Sequence, residues 1–226
     1  MVLSPFVPAD PSNQVRPQVP LSPVVDFAFA IVGGATLDVD HGQALLFALR
    51  RACPGLERIP GLGVHAVRGT LGSRPGELLL GPASEVRLRL PAGSAPLLQD
   101  LAGQELEVAG HGICLGEGRP HPLVPVSALW ARTVTIHFAA LGTKAAQEQL
   151  EARFRQEFPW GALRLLRPRT IRVEGRQLLG FEAAVRGLSP QASLLLQYRG
   201  FGGRRSFGCG LFVPFAATSR SGSKAG

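Results

Sequence analysis

The chain has 226 residues, 45% hydrophobic and 18% charged: enough apolar material for one large or two small packed domains, with no stretch near the roughly 20 apolar residues of a membrane helix. Its formal charge of +8 is split unevenly, nine Arg against eleven Asp and Glu in residues 1–125, and thirteen Arg and two Lys against five Glu in residues 126–226. A basic excess confined to one half points to an anionic partner. The three well-separated cysteines, Cys53, Cys114 and Cys209, argue against a disulfide framework or structural zinc site and fit a reducing, cytoplasmic setting.

Residues 1–23 carry six prolines and no basic leader, the composition of an extended arm. "VVDFAFAIVG" (24–33) predicts a strand. In "DHGQALLFALRRACPG", Asp40 is placed to cap a helix whose Ala44, Leu45, Ala48, Leu49 and Ala52 share a face, and Pro54-Gly55 ends it. "GVHAVRGTL" (63–71) and "SEVRLRLP" (84–91) predict strands, the latter alternating Val86, Leu88 and Leu90 with Arg87 and Arg89. "SAPLLQDLAG" predicts a short helix, and "QELEVAGHGICLG" a strand or hairpin.

The order then repeats. "ARTVTIHFA" predicts a strand with His137 on its polar face. Ala146, Leu150, Phe154 and Phe158 fall at i, i+4 spacing in a helix. "LRLLRPRTIRVEG" and "RQLLGFEAAVRGL" predict a strand pair, in which Pro168 is placed to break the register. "SPQASLLLQYRG" predicts a helix with Ser189 as cap and Pro190 at its first position. "GLFVPF" predicts a last strand, and residues 216–226 a disordered tail. Each half has the order β-α-β-β-α-β, so the fold class is α+β with two tandem ferredoxin-like (RRM-like) domains, at 24–125 and 126–215.

Between the last helix and strand lies "GFGGRRSFGCG". A dinucleotide loop follows a strand and opens a helix. This one does the reverse and lacks the Gly-Lys-Ser/Thr of a Walker loop, which argues against a bound nucleotide. Its glycines let backbone approach a phosphodiester, or simply make a tight turn. An RRM-type surface needs paired aromatics on a central strand, which "RTVTIHF" and "LRLLRPRTI" do not supply.

The helix, basic Gly-rich loop and short strand in a second ferredoxin-like unit resemble the RAMP superfamily of CRISPR-associated proteins. Together with "LDVDHGQALLFALRRACPGL", "GVHAVRG" and "RTIRVEG…GCGLFVP", they resemble the CRISPR repeat-processing endoribonucleases, Myxan subtype, over about residues 24–215. The resemblance implies metal-free, cofactor-free cutting of precursor CRISPR RNA by attack of the RNA's own 2′-hydroxyl. The products would be a 5′-hydroxyl and a 2′,3′-cyclic phosphate. It also implies retention of the repeat stem-loop among the backbone subunits of an effector complex, with no membrane partner.

That chemistry calls for a proton-transfer group, and histidine suits it. His41, at the helix start, matches the family's catalytic position. The helix terminus there favours neutral imidazole and Asp40 opposes it. His65, between Val64 and Val67, matches a second recurrent position, though alone it would be a structural histidine. His111 and His121 fall in Gly- and Pro-rich segments expected to be solvated loops. For RNA, the resemblance implies Arg164, Arg167, Arg169 and Arg172 on the strand pair, then Arg199, Gly202, Gly203, Arg204, Arg205 and Ser206 in and before the loop. A surface arginine is the alternative at each. The family pattern expects an aromatic near position 44, but the residue is Ala44 and the one tyrosine is Tyr198. That departure keeps a non-catalytic stem-binding subunit as the alternative function.

Overall fold

The computed structural model describes residues 23–135, 142–173 and 175–215. The chain order is β1 (Val24–Gly33), β2 (Thr36–Asp38), α1 (Gly42–Ala52), β3 (Gly63–Val64), β4 (Thr70–Leu71), β5 (Glu77–Leu79), β6 (Glu85–Pro91), β7 (Glu105–Val108), β8 (His111–Pro122), β9 (Ala128–Val134), α2 (Thr143–Glu157), β10 (Ala162–Val173), β11 (Arg176–Arg186), α3 (Pro190–Arg199) and β12 (Val213–Pro214). None of the helices described is long and apolar enough to cross a membrane.

Two antiparallel sheets organise the chain. The first runs β3-β6-β1-β8-β7 and the second β10-β11-β9-β12. Numbered within its own half, the second sheet has the strand order second-third-first-fourth, the arrangement of a ferredoxin-like unit, and the first shares its second-third-first order, with β8 beside β1 in the fourth place and β7 added as a further edge strand. The expected tandem architecture is therefore present. In the first unit a 3₁₀ run, Ala92–Leu101, stands where the second helix was expected. Pro96 removes a donor from the middle of that run, and Leu98 and Leu101, three apart, bury the inner side.

Alternation builds each core. Phe27 and Phe29 of β1 pack at 5.2 Å, with Leu45, Leu46 and Leu49 of α1 in the same cluster. Ala146, Leu150 and Phe154 of α2, and Phe158 just beyond it, fill the second core with Phe181 and Phe201, as their spacing predicts. Ser189 caps α3 by accepting from the Ala192 N–H, with Pro190 behind it.

Several expectations are corrected. His41, not Asp40, is the N-cap residue of α1, and it makes no side-chain cap bond. The Asp40 carboxylate instead accepts the Arg172 N–H of edge strand β10 at 2.6 Å. "GVHAVRGTL" is two short strands in different sheets, β4 joining β2 and β5 in a small sheet the sequence did not announce. His111 and His121 lie on strand β8 rather than in loops, and His111 Nδ1 bonds Thr36 Oγ1 at 3.0 Å. The last strand spans only Val213–Pro214. Residues 1–22 and 216–226, and His137, fall outside the described residues.

A candidate RNA-processing cleft between the two units

Arg89 sits on the polar side of β6, as alternation predicts, but it is 0% exposed. The second unit covers that face. Across the β1–β6 ladder Arg89 stands opposite Asp26, and on its other side opposite Gly63 of β3. Its Nε and Nη2 donate to the two Asp26 carboxylate oxygens at 2.7 and 2.9 Å. Its Nη1 donates to the carbonyls of Gln197 at 2.8 Å and Phe212 at 2.7 Å, both in the second unit. Burial alone would raise the Asp26 pKa. The hydrogen bonds from Arg89 and His65 outweigh it and hold the carboxyl well below the usual range.

His65 follows β3, tied by its N–H to the Arg87 carbonyl at 2.9 Å. Its Nε2–H donates to Asp26 Oδ1 at 3.2 Å, and its side chain is 12% exposed. Burial pushes its pKa down to about 4, with Arg89 and Arg87 adding to the fall and Asp26 opposing it. The ring is therefore neutral at pH 7. It lines a cavity of about 270 Å³ between the units, together with Arg68, Arg87, Trp130, Arg132 and Gly208.

The cavity wall carries three arginines and one carboxylate, Glu85, which pairs with Arg87 at 2.6 Å and leaves Arg68 and Arg132 as its excess positive charge. Arg68 is held from behind by buried Ser84, whose hydroxyl donates to the Arg68 carbonyl at 2.8 Å. Arg132 donates to the Val39 carbonyl at 3.2 Å. The pKa of each guanidinium falls, first through burial and then through neighbouring positive charge, Arg87 on Arg68, and Arg169 and Arg68 on Arg132. Like charges gathered in this way, Arg68 exposed and Arg132 half-buried, favour an incoming anion. Trp130 is pinned by its Nε1–H to Glu182 Oε1 at 2.7 Å.

His41 is placed differently. Its ring is 1% exposed. Nδ1–H donates to the Asp38 carbonyl at 2.6 Å, and Nε2 accepts the Val67 N–H at 2.8 Å. Burial lowers its pKa, and both nitrogens are committed to backbone. As it stands, the ring joins the end of β2 to the segment after β3 and offers no lone pair to a substrate.

The glycine loop is anchored through backbone: Gly203 N–H to Thr135 O at 2.8 Å, and Gly210 N–H to Thr133 O at 2.7 Å. It leans on the start of α1, where a Cβ at Gly42 would lie 2.5 Å from the Phe207 carbonyl oxygen. Gly202, Gly203, Arg204, Arg205 and Ser206 are all half-buried. Arg204 has left-handed φ of 63°. Arg205 donates to the Arg199 carbonyl at 3.1 Å, and burial pushes its pKa down to about 10. Arg205 and Arg199 line a separate cavity with Tyr198. On β10, Arg164, Arg167 and Arg172 are exposed and Arg169 is half-buried. The register shifts between Leu165 and Pro168, so a bulge falls where Pro168 was expected to disturb the strand.

The structure thus brings His65 to the arginine-lined cleft and Arg169 to an adjoining cavity that shares Arg132 with it. Arg164, Arg167 and Arg172 are not among the residues lining it. Asp26, Arg68, Arg87, Arg89, Trp130 and Arg132 carry no local sequence motif that marks them for the site. One signal was available: Asp26 is the lone carboxylate in the apolar strand "VVDFAFA", and a buried acid needs a partner.

Two ferredoxin-like units meeting at an arginine-lined cleft that bears a histidine define a tandem ferredoxin-like protein. The Cas6 Crispr family model matches residues 25–217. The CRISPR-associated endonuclease Cas6 of Myxococcus xanthus (strain DK1622) is 38% identical over 199 residues, 87% of this chain and 84% of that protein. The chain belongs to the Cas6 family. Among solved structures, a CRISPR associated protein Cas6 is similar at TM-score 0.59 and 11% identity, covering 86% of this chain and 100% of that one. A Cas6-related protein from Pyrococcus furiosus is similar at 0.55 and 7%, covering 84% and 97%. At these identities the structures support the fold.

Proposed function

We propose that the protein is a CRISPR repeat endoribonuclease whose proton-transfer residue is His65. The observation that carries this reading is the position of His65. It lines the arginine-walled cleft with Nε2 on Asp26, and Nδ1 makes no hydrogen bond among the described residues. The Myxococcus relative is named as an endonuclease, which supports the reaction class.

In this reading neutral His65 takes the proton of the 2′-hydroxyl through Nδ1. The 2′-oxygen attacks the adjacent phosphorus, the P–O5′ bond breaks, and the leaving 5′-oxygen takes a proton from water. The products are a 2′,3′-cyclic phosphate and a 5′-hydroxyl. Arg68 and Arg132 stabilise the charge that gathers on the non-bridging oxygens. No metal ion takes part. Residues 24–125 carry the chemistry. Residues 126–215 grip the repeat stem through β10 and the glycine loop, and the product stays bound among effector-complex subunits in the cytoplasm.

One observation favours a non-catalytic stem-binding subunit instead. Tyr198, the sole tyrosine, lies in a different cavity from His65, so no phenol assists at the cleft. Incubation with repeat RNA in EDTA, beside the same RNA carrying a 2′-deoxy at the cut, separates the two. Cleavage of the first and survival of the second supports the enzyme. Binding of both without scission supports the alternative.

A further inference from the structure

We propose that Asp26 and Arg89 are positioning residues that set the tautomer and orientation of His65, with Arg89 tying that setting to the RNA-gripping half of the chain. This rests on the reading of His65 given above.

The sheet creates the arrangement. Asp26, Arg89 and Gly63 are cross-strand neighbours on β1, β6 and β3, and His65 follows two residues after Gly63. Asp26 Oδ1 receives Arg89 Nε at 2.7 Å and His65 Nε2 at 3.2 Å, and Oδ2 receives Arg89 Nη2 at 2.9 Å. The carboxylate is held on both oxygens and cannot turn. A fixed acceptor selects the Nε2–H tautomer and leaves the Nδ1 lone pair as the base. The remaining Arg89 nitrogen, Nη1, reaches Gln197 O near the end of α3 and Phe212 O just past the glycine loop. One buried guanidinium therefore joins the carboxylate that aims His65 to the two backbone segments flanking the loop.

The charges acting on His65 are Asp26 from β1, and Arg87 and Arg89 from β6. Arg205 of the glycine loop interacts in turn with Asp26 and Arg89, and Arg68, Arg132 and Glu85 share the cavity wall, Glu85 paired with Arg87 at 2.6 Å. Of the charges acting directly on the ring, Asp26 alone favours the protonated form. Removing its charge moves the acid limb of the pH–rate profile to lower pH.

The test combines nitrogen-15 histidine NMR on the full chain with single-turnover cleavage of repeat RNA by Asp26→Asn. The wild-type spectrum should show His65 protonated at Nε2 and bare at Nδ1. In the variant, the single-turnover rate at saturating protein should fall by about tenfold or more with RNA affinity little changed, and the acid limb should shift downward. A comparable loss in rate and affinity with an unmoved limb would mean a purely structural role. An Nδ1–H tautomer in the wild type overturns the proposal even if the variant does not fold. Wild-type cleavage lost in His65→Ala tests the underlying reading on its own. If the wild type does not cut but His65 is the Nε2–H tautomer, the enzyme reading fails while the positioning of the ring stands.

Discussion

Arg89 and Asp26 face each other across neighbouring antiparallel strands and close a two-pronged ion pair, at 2.7 and 2.9 Å, in the interior of the protein. Removing one member of such a pair leaves the other charged and unpartnered. Asp26→Ala or Arg89→Met should each lower unfolding free energy by about 3–5 kcal/mol in urea titrations. An apolar replacement of both should cost less than the two single changes added. Single losses within about 1 kcal/mol would show that the pair does not hold the units.

Stability should fall as the pH drops from about 6.5 toward 4. His65 titrates near 4 when folded and near 6.5 when unfolded, so over that window the unfolded chain binds more protons. Its contribution is fully present above 6.5, and about 3 kcal/mol of it is lost by pH 4. Buried His41, also lowered, adds in the same direction. Melting temperature against pH checks this. His65→Ala should flatten the curve, and an unchanged slope would contradict the shift.

His41 should matter for folding rather than for chemistry. His41→Ala strands the buried Val67 N–H and the Asp38 carbonyl, and should cost about 2–4 kcal/mol. His41→Asn, with one donor and one acceptor, should recover part of that and cut at near wild-type rate once folded. A stable His41→Asn protein unable to cut would return the catalytic role to His41.

Gly42→Ala drives a methyl to 2.5 Å from the Phe207 carbonyl oxygen, so helix or loop must move. A cost of about 1–3 kcal/mol and weaker RNA binding are expected. Retained affinity would show that the seat of the loop on α1 is not needed for RNA.

Replacing Arg68 and Arg132 together by Ala should weaken binding of single-stranded repeat RNA. The slope of log affinity against log salt should fall by about 0.7 for each phosphate that is no longer neutralised. An unchanged slope would remove the cleft from the RNA path.

Much of this was visible in local chemistry. The β-α-β-β-α-β order, the Ser189 cap, the α2 stripe and the bulge near Pro168 follow from periodicity and backbone rules that act over a few residues. What stayed hidden depends on long-range packing. Alternation put Arg89 on the polar face of β6, but nothing local says that the second unit would cover that face. Likewise nothing near the helix start foretells that Val67, distant in sequence, comes to the His41 ring. Arg68 and Arg132 lie in different units, and only their junction makes them neighbours.

The most direct measurement is cleavage of the cognate repeat RNA in EDTA by wild type, His65→Ala and His41→Asn, each shown folded by circular dichroism. Site-specific cutting is expected from the wild type and from His41→Asn, and none from His65→Ala, with RNA still bound. Normal cutting by His65→Ala would rule out His65 as the proton-transfer residue.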